Sequence, residues 1–96
     1  MPLRKIKITI AYDGSGFHGW QIQPGLRTVQ GEMVQRIREL LKNPRARLHG
    51  ASRTDAGVSA LGQAGLIVGD NPIPIENMVG ALNDHLPRDI AIRDAE

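Results

Sequence analysis

Ninety-six residues, 41% of them apolar, make one domain with room for a modest single core. Lys and Arg number 12 against 10 Asp and Glu, so the formal net charge of +2 proves no nucleic-acid partner and the placement of charge must decide. The absence of cysteine excludes disulfides and thiolate chemistry and fits a reducing cytoplasm; no run reaches a membrane span, no apolar leader opens the chain, and His18, His49 and His85 are too scattered for a metal site.

Residues 4 to 12 alternate, with Ile6, Ile8, Ile10 and Tyr12 pointing one way and Lys5, Lys7 and Thr9 the other. This predicts a half-buried strand with a basic outer face. Asp13-Gly14-Ser15-Gly16 is a loop by composition, and Phe17-His18-Gly19-Trp20-Gln21 follows it, which places two of the three aromatics in a loop. Pro24-Gly25 marks a further turn. Thr28 is a candidate N-cap for a helix striped by Val29, Met33, Ile37, Leu40 and Leu41, which Asn43-Pro44 ends.

Residues 45 to 53 alternate again, with Ala46, Leu48 and Gly50 opposed to Arg45, Arg47, His49 and Arg53. Residues 60 to 68 read as a strand rich in small residues, ending in Leu66-Ile67-Val68. After the Gly69-Asp70-Asn71-Pro72 loop, Ile75, Met78, Val79, Leu82 and Leu86 give a second helical stripe, stopped by Pro87. Ile90 and Ile92 alternate with Ala91 and Arg93 in a last short strand.

Strand, helix, strand, strand, helix, strand is the order of the α+β ferredoxin-like βαββαβ arrangement, with two helices on one face of a four-stranded antiparallel sheet. The other face is left bare, and Lys5, Lys7, Arg45, Arg47, His49 and Arg93 are expected to point out of it. On the helices, Arg36, Arg38 and Lys42 are offset by Glu32 and Glu39. A basic stripe on an open sheet suits a phosphate backbone, and a solvated polar face is the competing reading.

The most informative segment is Ser52-Arg53-Thr54-Asp55-Ala56-Gly57-Val58-Ser59. A short carboxylate on a tight turn beside a fixed cation can stay ionised and act as a nucleophile with no metal or cofactor. Asp and Gly are also ordinary turn residues, so alone the segment admits a purely structural reading.

Three separated signatures nevertheless stand in the order found in one family. They are Tyr12-Asp13-Gly14-Ser15-Gly16-Phe17-His18-Gly19-Trp20-Gln21, then Thr28-Val29-Gln30-Gly31-Glu32, then Arg53-Thr54-Asp55-Ala56-Gly57-Val58-Ser59-Ala60-Leu61-Gly62-Gln63. Ala81-Leu82-Asn83 and Leu86-Pro87-Arg88-Asp89-Ile90 fit as well. Over nearly its whole length the chain resembles the N-terminal half of the TruA-type tRNA pseudouridine synthases. Ser52 and Ser59 stand where bacterial members usually carry glycine and histidine, which looks more like the archaeal and eukaryotic variant of the motif.

The resemblance implies isomerisation of a uridine in tRNA, expected in the anticodon stem-loop, without cofactor or metal. It makes Asp55 the nucleophile, attacking either the sugar or the uracil ring. Arg53 either stabilises the flipped nucleotide or forms a salt bridge with Asp55. Lys5, Lys7, Arg45, Arg47, His49, His18 and Gln21 are the candidate RNA contacts. Asp13 and Gly14 are turn residues, Gly57 allows close backbone approach, and Trp20 is expected to pack against the missing half.

Enzymes of the family are much longer, with a second ferredoxin-like half that supplies an active-site tyrosine, a basic residue and an apolar wall. The chain is therefore expected to be an N-terminal half, cloned as a fragment or made as a short product, and inactive alone. Self-association through a sheet edge is a further expectation. The rival is a non-catalytic ferredoxin-like RNA-binding module, but such modules stack bases on strand aromatics, and this chain has one Tyr, one Trp and one Phe. A small-ligand regulatory domain would leave the Arg-Thr-Asp turn unexplained.

Overall fold

Strand β1 (Lys5–Tyr12) is the centre of the molecule, flanked on both sides. The computed structural model describes residues 4–51 and 57–96. Helix α1 (Val29–Leu41) follows, then β2 (Arg47–Gly50), β3 (Ala60–Val68), α2 (Ile75–His85) and β4 (Ile90–Ala95). The sheet order is β2-β3-β1-β4 and every pairing is antiparallel, which is the ferredoxin-like α+β arrangement.

Period-two alternation does most of the work in β1. Ile6, Ile8, Ile10 and Tyr12 are buried and pack with Val29, Met33 and Ile37 of α1 and Met78 and Leu82 of α2 in one core. Thr28 caps α1 as expected, its hydroxyl accepting from the Gly31 N–H, and Lys42 ends the helix in the left-handed conformation. Asn83 on α2 brackets Ile92, donating to its carbonyl (3.0 Å) and accepting from its N–H (2.7 Å), which ties the helix to β4. The polar pair inside the core, Tyr12 hydroxyl to Gln63 Oε1, is satisfied at 2.9 Å.

Two expectations change. Among the described residues the second basic strand is Arg47–Gly50 and starts after Arg45, because the Asn43 side chain captures the Arg45 N–H (2.9 Å) in a turn, while Arg53 at the expected end lies outside the described residues. Phe17 and Trp20 stand in the loop, as expected, but they are core residues, 3% and 2% exposed. Trp20 covers β2: a Cβ added to Gly50 would lie 2.6 Å from its ring, so the glycine admits the indole. Trp20 is thus buried by the described residues themselves. Among the described residues no helix is long and apolar enough to cross a membrane.

Ile10 is fully buried between both helices and both neighbouring strands. Ile10→Ala is expected to cost about 2–5 kcal/mol in urea unfolding; a loss under about 1 kcal/mol would show that β1 does not face the core.

Candidate active-site rim and nucleic-acid face

Asp55 and Arg53, with Ser52, lie outside the described residues, but the chain on either side of them is held. Upstream, the Ala51 N–H donates to Ala64 O (3.0 Å), carrying the β2–β3 ladder one step further. Downstream, the Gly57 N–H donates to Phe17 O (3.1 Å). The downstream end of the Asp55 segment therefore rests on the turn that follows β1.

That turn is a single 3-10 turn, Gly14–Gly16, capped by Asp13. Gly14 is buried, and its N–H donates to Ser59 Oγ at 2.8 Å. A Cβ on Gly14 would fall on the Val58 carbonyl and lie 2.9 Å from Ser59 N, so two backbones touch where only glycine fits. Close approach thus belongs to Gly14. Gly57 is needed for a different reason: its φ is +79° and a Cβ there would meet nothing within 4 Å. Turn chemistry, and not backbone crowding, selects glycine at that position.

Asp13 does the work of an Asx residue, accepting the Ser15 N–H at 3.0 Å while its own N–H donates to Asp89 O at 2.9 Å. Its carboxyl lies below the ordinary carboxylate range, chiefly through the Ser15 N–H, then the Ser15 hydroxyl, with a further contribution from the Ser59 hydroxyl. Arg27 braces the same region. Its guanidinium holds Asp89 in a two-pronged pair (2.8 and 3.2 Å), donates to Gly16 O (3.3 Å) and lies 4.1 Å from the Phe17 ring centre. Beside this frame Ala11, Tyr12, Asp13, Ser59, Ala60, Leu61, Arg88 and Ala91 line an open depression, and Val58 and Leu61 are exposed next to it, Leu61 by 82%.

The bare sheet face is ordered by register. Lys5, Val68 and Arg47 form one cross-strand row, and Lys7, Leu66 and His49 form the next. All four polar members are exposed. Arg93 also lies on this side, its Nη1 reaching across to Leu61 O (2.9 Å). Arg45 is exposed but sits in the turn beside β2. His18 and Gln21 are exposed on the loop after the 3-10 turn, at a distance from those rows in sequence.

The expected basic stripe is not uniform. A bulge in β4 turns Asp94 to face Thr9, and the ladder continues so that Glu96 pairs with Lys7, its carboxylate 4.0 Å from Lys7 Nζ. The cations gather toward β2, and the β4 edge is acidic.

Comparison with known sequences agrees with this geometry. The family described as tRNA pseudouridine synthase matches residues 8–96. The chain belongs to that family. It is 47% identical over 94 residues to tRNA pseudouridine synthase A of Solibacter usitatus, covering 98% of this chain and 39% of that protein. Against the same-named protein of Brachyspira hyodysenteriae it is 48% identical over 95 residues, 98% of this chain and 38% of the relative. With that of Geobacillus kaustophilus it shares 48% over 92 residues, 94% of this chain and 35% of the relative.

The chain thus spans less than two-fifths of the length of these curated relatives. Within the family's segment, sequence reasoning passed over Arg27, Asp89 and the hydroxyl of Ser59. Arg27 and Asp89 are 62 residues apart and carry no local signal of pairing.

A depressed carboxyl contributes stability above the ordinary carboxylate value of about 3.9 and loses it as pH falls through its own lower value. Asp13→Asn should therefore be less stable than the parent near neutral pH, with the gap narrowing as pH falls below the ordinary carboxylate value of about 3.9. Urea midpoints across that range check this, and a gap independent of pH would contradict the role given to the Asp13 charge.

Proposed function

We propose that this chain is the nucleophile-bearing N-terminal part of a tRNA pseudouridine synthase, acting in the cytoplasm on a uridine of the anticodon stem-loop. The observation that carries the reading is the junction of two signatures. The Gly14–Phe17 turn grips both Gly57 and Ser59, so the chain that follows Asp55 emerges at one end of a cation-bearing open sheet. The same-named relatives, matched over nearly all of this chain, support it.

Pseudouridylation breaks the bond from uracil N1 to ribose C1′, turns the base, and forms a bond from C5 to C1′. N1 gains a proton and C5 releases one, so atoms and electrons balance without a redox partner. Asp55 serves as nucleophile toward the sugar or the ring; a carboxylate is ionised at neutral pH and needs no base to activate it. Arg53, two residues before it, pairs with phosphate or fills the space left by the flipped nucleotide, whose unstacking costs roughly a few kcal/mol. Lys5, Lys7, Arg47 and His49 hold the RNA backbone on the open face, with Arg45, His18 and Gln21 at its margins.

The second half of the enzyme closes the cleft. Exposed Val58 and Leu61, beside the anchored loop, are the apolar surface it would cover. The rival module, a non-catalytic RNA binder, is disfavoured because Tyr12, Phe17 and Trp20 are all buried and none offers a stacking surface on the open face. Whether the chain also pairs with a second copy through a sheet edge is a question for sedimentation.

Tritium release from C5 of uridine in a tRNA transcript tests the reading. The 96-residue chain alone should show no turnover and should regain it when the second half is supplied. Asp55→Asn in the completed enzyme should abolish turnover with tRNA binding largely kept. Near-normal rates in that variant would refute the assignment.

A further inference from the structure

We propose that Ser59 is a positioning residue for the reaction: its hydroxyl, seated on the Gly14 amide, fixes where the chain leaving Asp55 enters β3 and so sets the reach of the carboxylate toward the uridine. The inference rests on the reading of Asp55 as nucleophile and adds a residue that acts through it.

Ser59 lies four residues after Asp55, and the path between them is pinned twice to one short turn. The Gly57 N–H meets Phe17 O at 3.1 Å, and Ser59 Oγ receives the Gly14 N–H at 2.8 Å. Between these two points the Val58 carbonyl lies against Gly14 so closely that a methyl group could not intervene. Because the hydroxyl accepts from Gly14, its own proton is free to be donated, and the acceptor beside it is the Asp13 carboxylate. Asp13 in turn is held by the Ser15 N–H and, through its backbone, by Asp89, which Arg27 clamps.

One small hydroxyl thus ties the exit of the nucleophile segment to the Asp13–Gly14 turn, which Asp89 and Arg27 hold in their turn. Without it the buried Gly14 N–H loses its side-chain acceptor in that place, and leaving such a donor unmade is costly. A shift of about 1 Å in a catalytic group can cost on the order of 100-fold in rate.

The test uses the complete synthase, with single-turnover rate and tRNA Kd measured separately. Ser59→Thr keeps the hydroxyl, and Ser59→Val has nearly the same shape without it. The expected result is a kcat for Ser59→Val lower by about 10- to 100-fold, Kd within about 2-fold of the parent, and most of the rate recovered in Ser59→Thr. Equal rates for the Thr and Val variants, or a loss confined to Kd, would overturn the proposal. A Val variant that does not fold beside an active, folded Thr variant makes Ser59 a stability residue and overturns it too. Asp55→Asn run in parallel separates the two claims. If it stays active the nucleophile reading fails, and if it is inactive while Ser59→Val turns over normally only the Ser59 role fails.

Discussion

The side-chain parity of β1 is the constraint from which the rest follows. This strand is paired on both edges, so its alternation is imposed on β3 and β4 together. One parity puts Ile6, Ile8, Ile10 and Tyr12 under the helices and Lys5 and Lys7 on the open face. A slip of one residue would drive two ammonium groups into the core and four large apolar side chains into water, which no compensating contact could offset. The same parity decides where the strand ends. Tyr12 turns inward to Gln63, and the chain leaves directly into the Asp13–Phe17 turn that receives the residues after Asp55. Core, basic face and the rim of the candidate site are three consequences of one strand's register.

The fold was legible because its signals were periodic. Three alternating strands, one strand rich in small residues and two helical stripes, with Thr28 as cap, follow from local patterns that tertiary contacts reinforced. The misreadings have specific causes. Phe17 and Trp20 stand among glycines and show no period, yet each is buried by residues distant in sequence, Trp20 by Gly50 across the core edge. The acidity of the β4 edge was hidden by a bulge. Strict alternation from Ile90 and Ile92 would turn Asp94 and Glu96 inward, and the extra residue at Arg93 reverses them onto the open face.

The candidate site was legible as motifs but not as an assembly. Asp13-Gly14 and Val58-Ser59 were each recognisable, but their contact is a backbone event between segments 45 residues apart. Gly14 reads as a turn residue in sequence, whereas its placement against the Val58 carbonyl is what forbids a side chain. Arg27 carries no local signal of its partners, and only the fold shows it engaged with Asp89, Gly16 and Phe17. With Asp94 and Glu96 on the β4 edge, the cations of the open face are concentrated over β1 and β2.

That asymmetry makes the proposed RNA-facing side measurable. The chain has three lysines, Lys5 and Lys7 on the open face and Lys42 at the end of α1 in the helix layer. Acetylation of the complete enzyme with and without tRNA, read residue by residue by mass spectrometry, reports which side the substrate covers. The account predicts that tRNA shields Lys5 and Lys7 and leaves Lys42 as reactive as before. Protection of Lys42 with Lys5 and Lys7 still open would place the RNA on the helices and contradict it.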